Sequence, residues 1–236
     1  MDRDLVRKVT WLSDRFTEGP VRSIVLRFGG LGGGDMRSGA DLMELEWCTK
    51  GGLVVVPFAN PWAWMNDATR EFVDELVDGV RDLLGLPATT PVISTGGSIG
   101  GHAALIYPLY SRQPVKACLA QWPVCDLPFH YGERADLPRT MHSAYGSYGD
   151  ITDRLERNSP VHQAARLPRI PYCIVHGAAD QAVAKGPHSD RLVALLRAGG
   201  HQVEYLEDPD MGHGGPMTWR IARRMTDFVS ENLAEG

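Results

Sequence analysis

Apolar residues are distributed along this chain in two alternating periods. Short continuous runs, Ser23-Ile-Val-Leu-Arg-Phe28, Leu53-Val-Val-Val56, Pro91-Val-Ile-Ser94, Val115 to Ala120, Tyr172-Cys-Ile-Val175 and Val203 to Leu206, read as strands buried on both faces. Between them the spacing changes to three and four. Phe72, Val73, Leu76, Val77, Val80, Leu83 and Leu84 mark one side of a helix opened by Asn66 or Asp67. Further helices are predicted from about Ser38 to Lys50, over residues 99 to 112, around Leu192 to Arg197 and from Trp219 to Leu233. Glycine pairs, Gly51-Gly52 and Gly199-Gly200, stop two of them. In the Ser38 helix, Leu42, Leu45 and Trp47 are assigned to the inner face. Val6, Val9 and Trp11 alternate weakly and predict one short edge strand, and Asn158-Ser-Pro160 is read as opening a short helix.

Strands alternating with helices predict an α/β fold: a mostly parallel, doubly wound sheet with helices on both faces. No linker or repeat divides the chain, so one domain is expected over residues 1–236. From Trp122 to about Arg157 the period is lost and aromatics and histidines accumulate. That stretch is expected to form a short irregular cap or lid. In such sheets ligands bind beyond the carboxyl ends of the strands, which directs attention to the loops there.

Charge and cysteine usage narrow the partners. The formal net charge is −5, and the 24 Lys and Arg residues are scattered rather than gathered into a stripe, which argues against nucleic acid. Neither a signal-peptide core at the start nor any apolar run of membrane-spanning length is visible, so a soluble, cytoplasmic protein is expected. Cys48, Cys118, Cys125 and Cys173 lack CxxC spacing and are expected to be buried free thiols. None of the eight histidines has metal-ligand spacing, and neither a metal nor a cofactor is expected.

The strand ends carry the chemistry. Gly96-Gly97-Ser98-Ile99-Gly100 fits the G-x-S-x-G elbow, a turn too tight for side chains on its flanks that leaves the serine hydroxyl exposed. A serine needs a base to take its proton, and that base needs an acid to hold it. His176-Gly-Ala-Ala-Asp180 puts Asp180 just past one strand, and Asp210-Met-Gly-His-Gly-Gly215 puts His213 past the next. The order Ser98, Asp180, His213 is that of α/β-hydrolases. Asp208 and Asp210 are rival acids in the histidine's own loop, while Asp126 and His176 are assigned structural roles.

Several weak motifs in one order strengthen each other. From about residue 21 to 233 the chain resembles the catalytic domain of the prolyl oligopeptidase-type serine hydrolases. The resemblance rests on Gly-Gly-Ser-Ile-Gly-Gly around Ser98, Trp-Pro-Val-Cys-Asp at 122–126, Asn-Ser-Pro-Val at 158–161, His-Gly-Ala-Ala-Asp at 176–180 and Gly-His-Gly at 212–214. It implies a single-domain α/β-hydrolase with Ser98 as nucleophile, Asp180 as acid and His213 as base. Catalysis also needs donors for the oxyanion. The Ile99 N–H at a helix start is one candidate, and Gly29 or Gly30, after the Ile24 to Phe28 strand, supplies the other. The family usually carries His-Gly-Gly or Tyr-Gly there. This chain has Phe28-Gly-Gly, and phenylalanine cannot donate.

Phe28, Trp62, Trp64, Trp122 and Tyr145 are candidates to line the substrate pocket, with Phe129, Tyr131 and Tyr148 in the same aromatic segments. The Gly29 to Gly34 loop fits neither nucleotide-binding glycine pattern. The family's peptidases commonly carry an N-terminal propeller, and only about 20 residues precede the first good strand here. A small carboxylic ester is therefore the expected substrate, with a short peptide as alternative. A silent binding protein of the same fold, favoured by Phe28, is the third reading.

Overall fold

The computed structural model describes residues 1–31, 39–146 and 149–233. The apolar runs become seven strands: β1 (Thr10–Leu12), β2 (Ser23–Phe28), β3 (Gly52–Pro57), β4 (Val92–Gly97), β5 (Val115–Gln121), β6 (Tyr172–Gly177) and β7 (Val203–Asp208). They form one sheet in the order β1-β3-β2-β4-β5-β6-β7. All neighbours are parallel except β1, which pairs antiparallel with β3 through Trp11 and Val56 at the edge.

Side chains alternate across β2. Ile24, Leu26 and Phe28 enter one core with α1 (Arg3–Val9), α3 (Asp67–Leu84), α4 (Ile99–Tyr110) and α8 (Arg191–Ala198). Val25 enters the other, with Trp47 and Cys48 of α2 (Leu42–Thr49) and with Ile221, Met225 and Phe228 of α9 (Trp219–Glu231). Both faces of the sheet are thus covered, as the unbroken apolar runs require. The strand order turns back where β2 meets β4, and their last pair is Phe28 with Gly96. The loops leaving these two strands open a crevice at that switch point, carrying Gly29 on one side and Ser98 on the other.

Several local expectations are revised. Residues 3–9 form α1 rather than part of a strand, because Asp2 accepts the Leu5 N–H at 2.7 Å and caps a turn. The helix expected from Ser38 begins at Leu42, where Asp41 and Glu44 cap one another reciprocally. That phase turns Leu42 outward, 86% exposed, and buries Glu44 beside Trp47. Asn158 closes a helix instead of opening one, and a single tight turn over Ala164–Arg166 follows.

The stretch expected to be irregular is largely helical: α5 (Leu127–Glu133), α6 (Leu137–Tyr145) and α7 (Thr152–Arg157). Leu127, Leu137, Met141, Ile151 and Leu155 gather there into a third apolar cluster, sealed against Trp64, Ile99 and Val183. All four cysteines are free and buried. Among the described residues no helix is long and apolar enough to cross a membrane.

Candidate active site

Ser98 stands at a sharp turn between β4 and α4, with φ 58° and ψ −123°. Its neighbours explain the glycines. A methyl group on Gly100 would lie 2.3 Å from the Phe28 carbonyl oxygen, and one on Gly96 would lie 2.3 Å from the Gly100 carbonyl oxygen. The turn can be this tight only because both side chains are absent.

Two further strand ends reach this serine. Nε2 of His213 lies 2.9 Å from Ser98 Oγ, and Nδ1 lies 2.7 Å from Asp180 Oδ2. With Nδ1–H donating to the carboxylate, Nε2 presents a lone pair to the serine hydroxyl. Asp180 is held in turn. Its Oδ1 accepts the N–H groups of Ala182 and Val183, each at 2.9 Å, and the buried His176 stands 3.3 Å from Oδ2. Burial pushes the Asp180 pKa upward, yet the hydrogen bonds from His176, His213 and the Val183 amide outweigh it and hold the carboxyl well below the usual range. Asp208 is spent on its own loop, accepting Thr218 N–H at 2.9 Å and Asp210 N–H at 3.2 Å.

A cavity of about 490 Å³ opens over Ser98. Phe28, Gly29, Gly30, Ile99, Trp122 and His213 are among its walls, with Arg27 and Arg134. Ile99 begins α4, so its N–H lacks a partner within the helix and lies beside the serine. Gly30 approaches closely: a methyl group there would sit 3.8 Å from the Ser98 Cβ.

The sequence model of the prolyl oligopeptidase family matches residues 61–236, three of the four strand-end loops just described among them. The chain belongs to the prolyl oligopeptidase family. Dipeptidyl peptidase family member 6 of Caenorhabditis elegans is 30% identical over 161 residues, covering 61% of this chain and 20% of that protein. A puromycin-hydrolyzing peptidase of Mycobacterium tuberculosis superposes with a TM-score of 0.73 at 19% identity, over 92% of this chain and 35% of its own. A thermophilic esterase of Thermogutta terrifontis with bound propionate superposes with a TM-score of 0.63 at 19% identity, over 94% and 87%. The α/β-hydrolase fold is common to them. This chain spans only about a fifth of the C. elegans relative and about a third of the peptidase.

Prolyl oligopeptidase membership sharpens the departure at Phe28. Its ring is 5% exposed and packs edge-on against Tyr107 at 5.6 Å, so the position faces the α4 core and offers no hydroxyl. Three pocket expectations are corrected. Trp64 is wholly buried, with Nε1–H donating to Thr140 Oγ1 at 2.9 Å. Tyr145 donates its hydroxyl to the Trp64 carbonyl at 3.0 Å and borders a separate cavity beside Arg154 and Arg157. Trp62 borders another, beside Arg139. Their aromatic bulk joins α6 to the body of the fold rather than lining the Ser98 pocket. Tyr148 and residues 32–34 of the glycine loop lie outside the described residues.

One constellation was invisible in the sequence. His130, Glu133 and His188 bring their donor atoms within 4.8 Å of one another, although His188 is distant in the chain. His130 is hydrogen-bonded to Glu133 through Nδ1, and His188 Nε2 lies 3.0 Å from the same carboxylate oxygen. The tautomer decides what this cluster can hold. His188 Nδ1 accepts the N–H groups of Cys125 and Asp126, each at 3.1 Å, so its proton sits on Nε2 and points at Glu133. A metal would need that nitrogen's lone pair, and the arrangement is that of a hydrogen-bonded network instead. Although burial opposes it, the two histidines lower Glu133 to about 2. His102, one turn beyond Ser98, is equally structural: it is wholly buried, its Nε2–H donates to the Asn158 carbonyl at 2.8 Å, and burial lowers it to about 4.

Proposed function

We propose that this protein hydrolyses small carboxylic esters through an acyl-enzyme, with Ser98 as nucleophile, His213 as base and acid, and Asp180 as the group that orients His213. The observation that carries the reading is the unbroken line of hydrogen bonds, Ser98 Oγ to His213 Nε2 at 2.9 Å and His213 Nδ1 to Asp180 Oδ2 at 2.7 Å. Ser98 Oγ attacks the carbonyl carbon while His213 Nε2 takes its proton. Asp180, kept ionised by the hydrogen bonds it accepts, stabilises the imidazolium. The Ile99 N–H and one amide of Gly29 or Gly30 receive the oxyanion. His213 then returns the proton to the departing alkoxide, and water repeats the sequence on the acyl group.

Esters stand first because an alkoxide leaves more readily than an amine, and the oxyanion site has no side-chain donor at Phe28. The peptidase reading keeps its place through the names of the relatives. A fluorophosphonate probe should add once, to Ser98, and Ser98→Ala should abolish the adduct. Rates on p-nitrophenyl esters and aminoacyl anilides then separate the two substrate classes. Folded wild-type protein that takes no label and cleaves neither series would overturn the assignment in favour of a silent binding protein.

A further inference from the structure

Among the described residues, the side chains of fixed charge that line the Ser98 cavity are Arg27 and Arg134, and no aspartate or glutamate lines it. Arg27 ends the β2 series that faces α2, so its side chain passes the core and reaches the wholly buried Glu44. Nε donates to Glu44 Oε1 at 2.9 Å, and Asp41 lies 3.9 Å from Nη2. That leaves Nη1, which is buried and has no hydrogen-bond partner among the described residues. Leaving a buried cationic donor unsatisfied is costly, and a ligand oxygen removes the cost. From the α5 side Arg134 is held by Asp136 through Nε at 3.0 Å and Nη2 at 2.5 Å, with its side chain 45% exposed. Two guanidiniums fixed by their own carboxylates, each with a donor left over, suit the planar geometry of a carboxylate.

We propose that the Ser98 pocket selects substrates bearing a carboxylate beside the scissile bond, with Arg27 as the specificity-determining residue and Arg134 as its auxiliary. The inference rests on the acyl-transfer reading of Ser98 and adds the class of substrate to it. Among the described residues the pocket walls offer no counter-charge for a substrate ammonium, and the same observation disfavours free amino termini.

The test compares matched esters that differ only in charge: p-nitrophenyl hydrogen glutarate against its methyl ester for an acyl-side carboxylate, and 4-carboxyphenyl butyrate against its methyl ester for the leaving-group side. Wild type should favour the anionic member of one pair by roughly 10- to 100-fold in kcat/KM. Arg27→Gln should erase that preference with a much smaller change on the neutral ester. Because Arg27→Gln removes one partner of buried Glu44, Arg27→Lys and Arg134→Gln are run beside it. The lysine should keep part of the preference, and the exposed Arg134 change should reduce it without loss of fold. Glutarate should also slow fluorophosphonate labelling of the wild type and not of Arg27→Gln. Equal rates on both members of both pairs, with labelling indifferent to glutarate, would overturn the carboxylate assignment while leaving the hydrolase reading intact. Folded protein that neither labels nor turns over any ester would remove the acyl-transfer reading, and the carboxylate assignment with it.

Discussion

His176 and His213 converge on a single oxygen, Oδ2 of Asp180, from 3.3 Å and 2.7 Å. The first contact is wholly interior, since His176 also reaches the Val183 carbonyl at 3.0 Å and Ser189 Oγ at 2.6 Å. His176 is therefore a positioning residue for the carboxylate. On the proposed mechanism, His176→Phe removes one donor that stabilises the charged form of Asp180. The Asp180 pKa should rise, kcat should fall by roughly tenfold with KM little changed, and the acid limb of the pH–rate profile should move to higher pH. His176→Asn should recover part of the loss.

The elbow tolerates no methyl group. Gly100→Ala drives a Cβ to 2.3 Å from the Phe28 carbonyl and 2.9 Å from that of Gly29, both backbone atoms unable to yield cheaply. We expect a loss of about 3 kcal/mol or more in denaturant unfolding. Gly30→Ala is the control, since its Cβ would meet nothing closer than 3.4 Å. It should fold normally and alter only turnover.

The His130–Glu133–His188 network gives stability a defined pH dependence. Glu133 is lowered from 4.5 to about 2 in the fold. A depressed carboxylate contributes fully above its unfolded value and loses that contribution as pH falls toward the folded one. His130 is lowered as well, through burial that favours its neutral form, and so acts in the same direction. Between about pH 5 and about pH 3, Glu133→Gln should therefore lose less melting temperature than wild type, by roughly 3–6 °C. Parallel curves would contradict the network.

Two tryptophans should separate cleanly. Trp64→Ala empties a wholly buried site and costs about 3–5 kcal/mol of stability. Trp122 borders the cavity and packs its ring edge-on to His213 at 6.4 Å. Trp122→Ala should therefore raise KM by about tenfold, with a much smaller effect on stability than Trp64→Ala. Thermal melts and steady-state kinetics on both variants measure the contrast.

How far the sequence could carry these conclusions depended on the range of the determinants. Strands β2 to β6 were legible because both of their faces are largely covered, which writes an apolar run, and the half-exposed edge strand β7 through the shorter stretch of Val203, Tyr205 and Leu206. Ser98, Asp180 and His213 were legible because each follows such a run and carries glycine nearby. The start of α2 was misplaced because Asp41 and Glu44, not the apolar spacing, set its phase. Trp62, Trp64 and Tyr145 were misassigned because an aromatic in a loop has the same local signature whether it faces a substrate or another helix. Arg27 was missed as a wall of the pocket, and His188 as a partner of Glu133, because each is defined by contacts across the fold, to Glu44 and to Glu133.

The backbone of Ser98, at φ 58° and ψ −123°, lies in a region that glycine enters freely and other residues only at a cost on the order of 1–3 kcal/mol. The residue the proposed reaction cannot lose is thus one the fold would gladly exchange. Ser98→Ala discards the hydroxyl and keeps the strain, whereas Ser98→Gly discards both and offsets only part of the gain through a freer unfolded chain. The glycine variant should be the more stable of the two. On the proposed mechanism, that difference in stability is what holding a hydroxyl at this turn costs the fold.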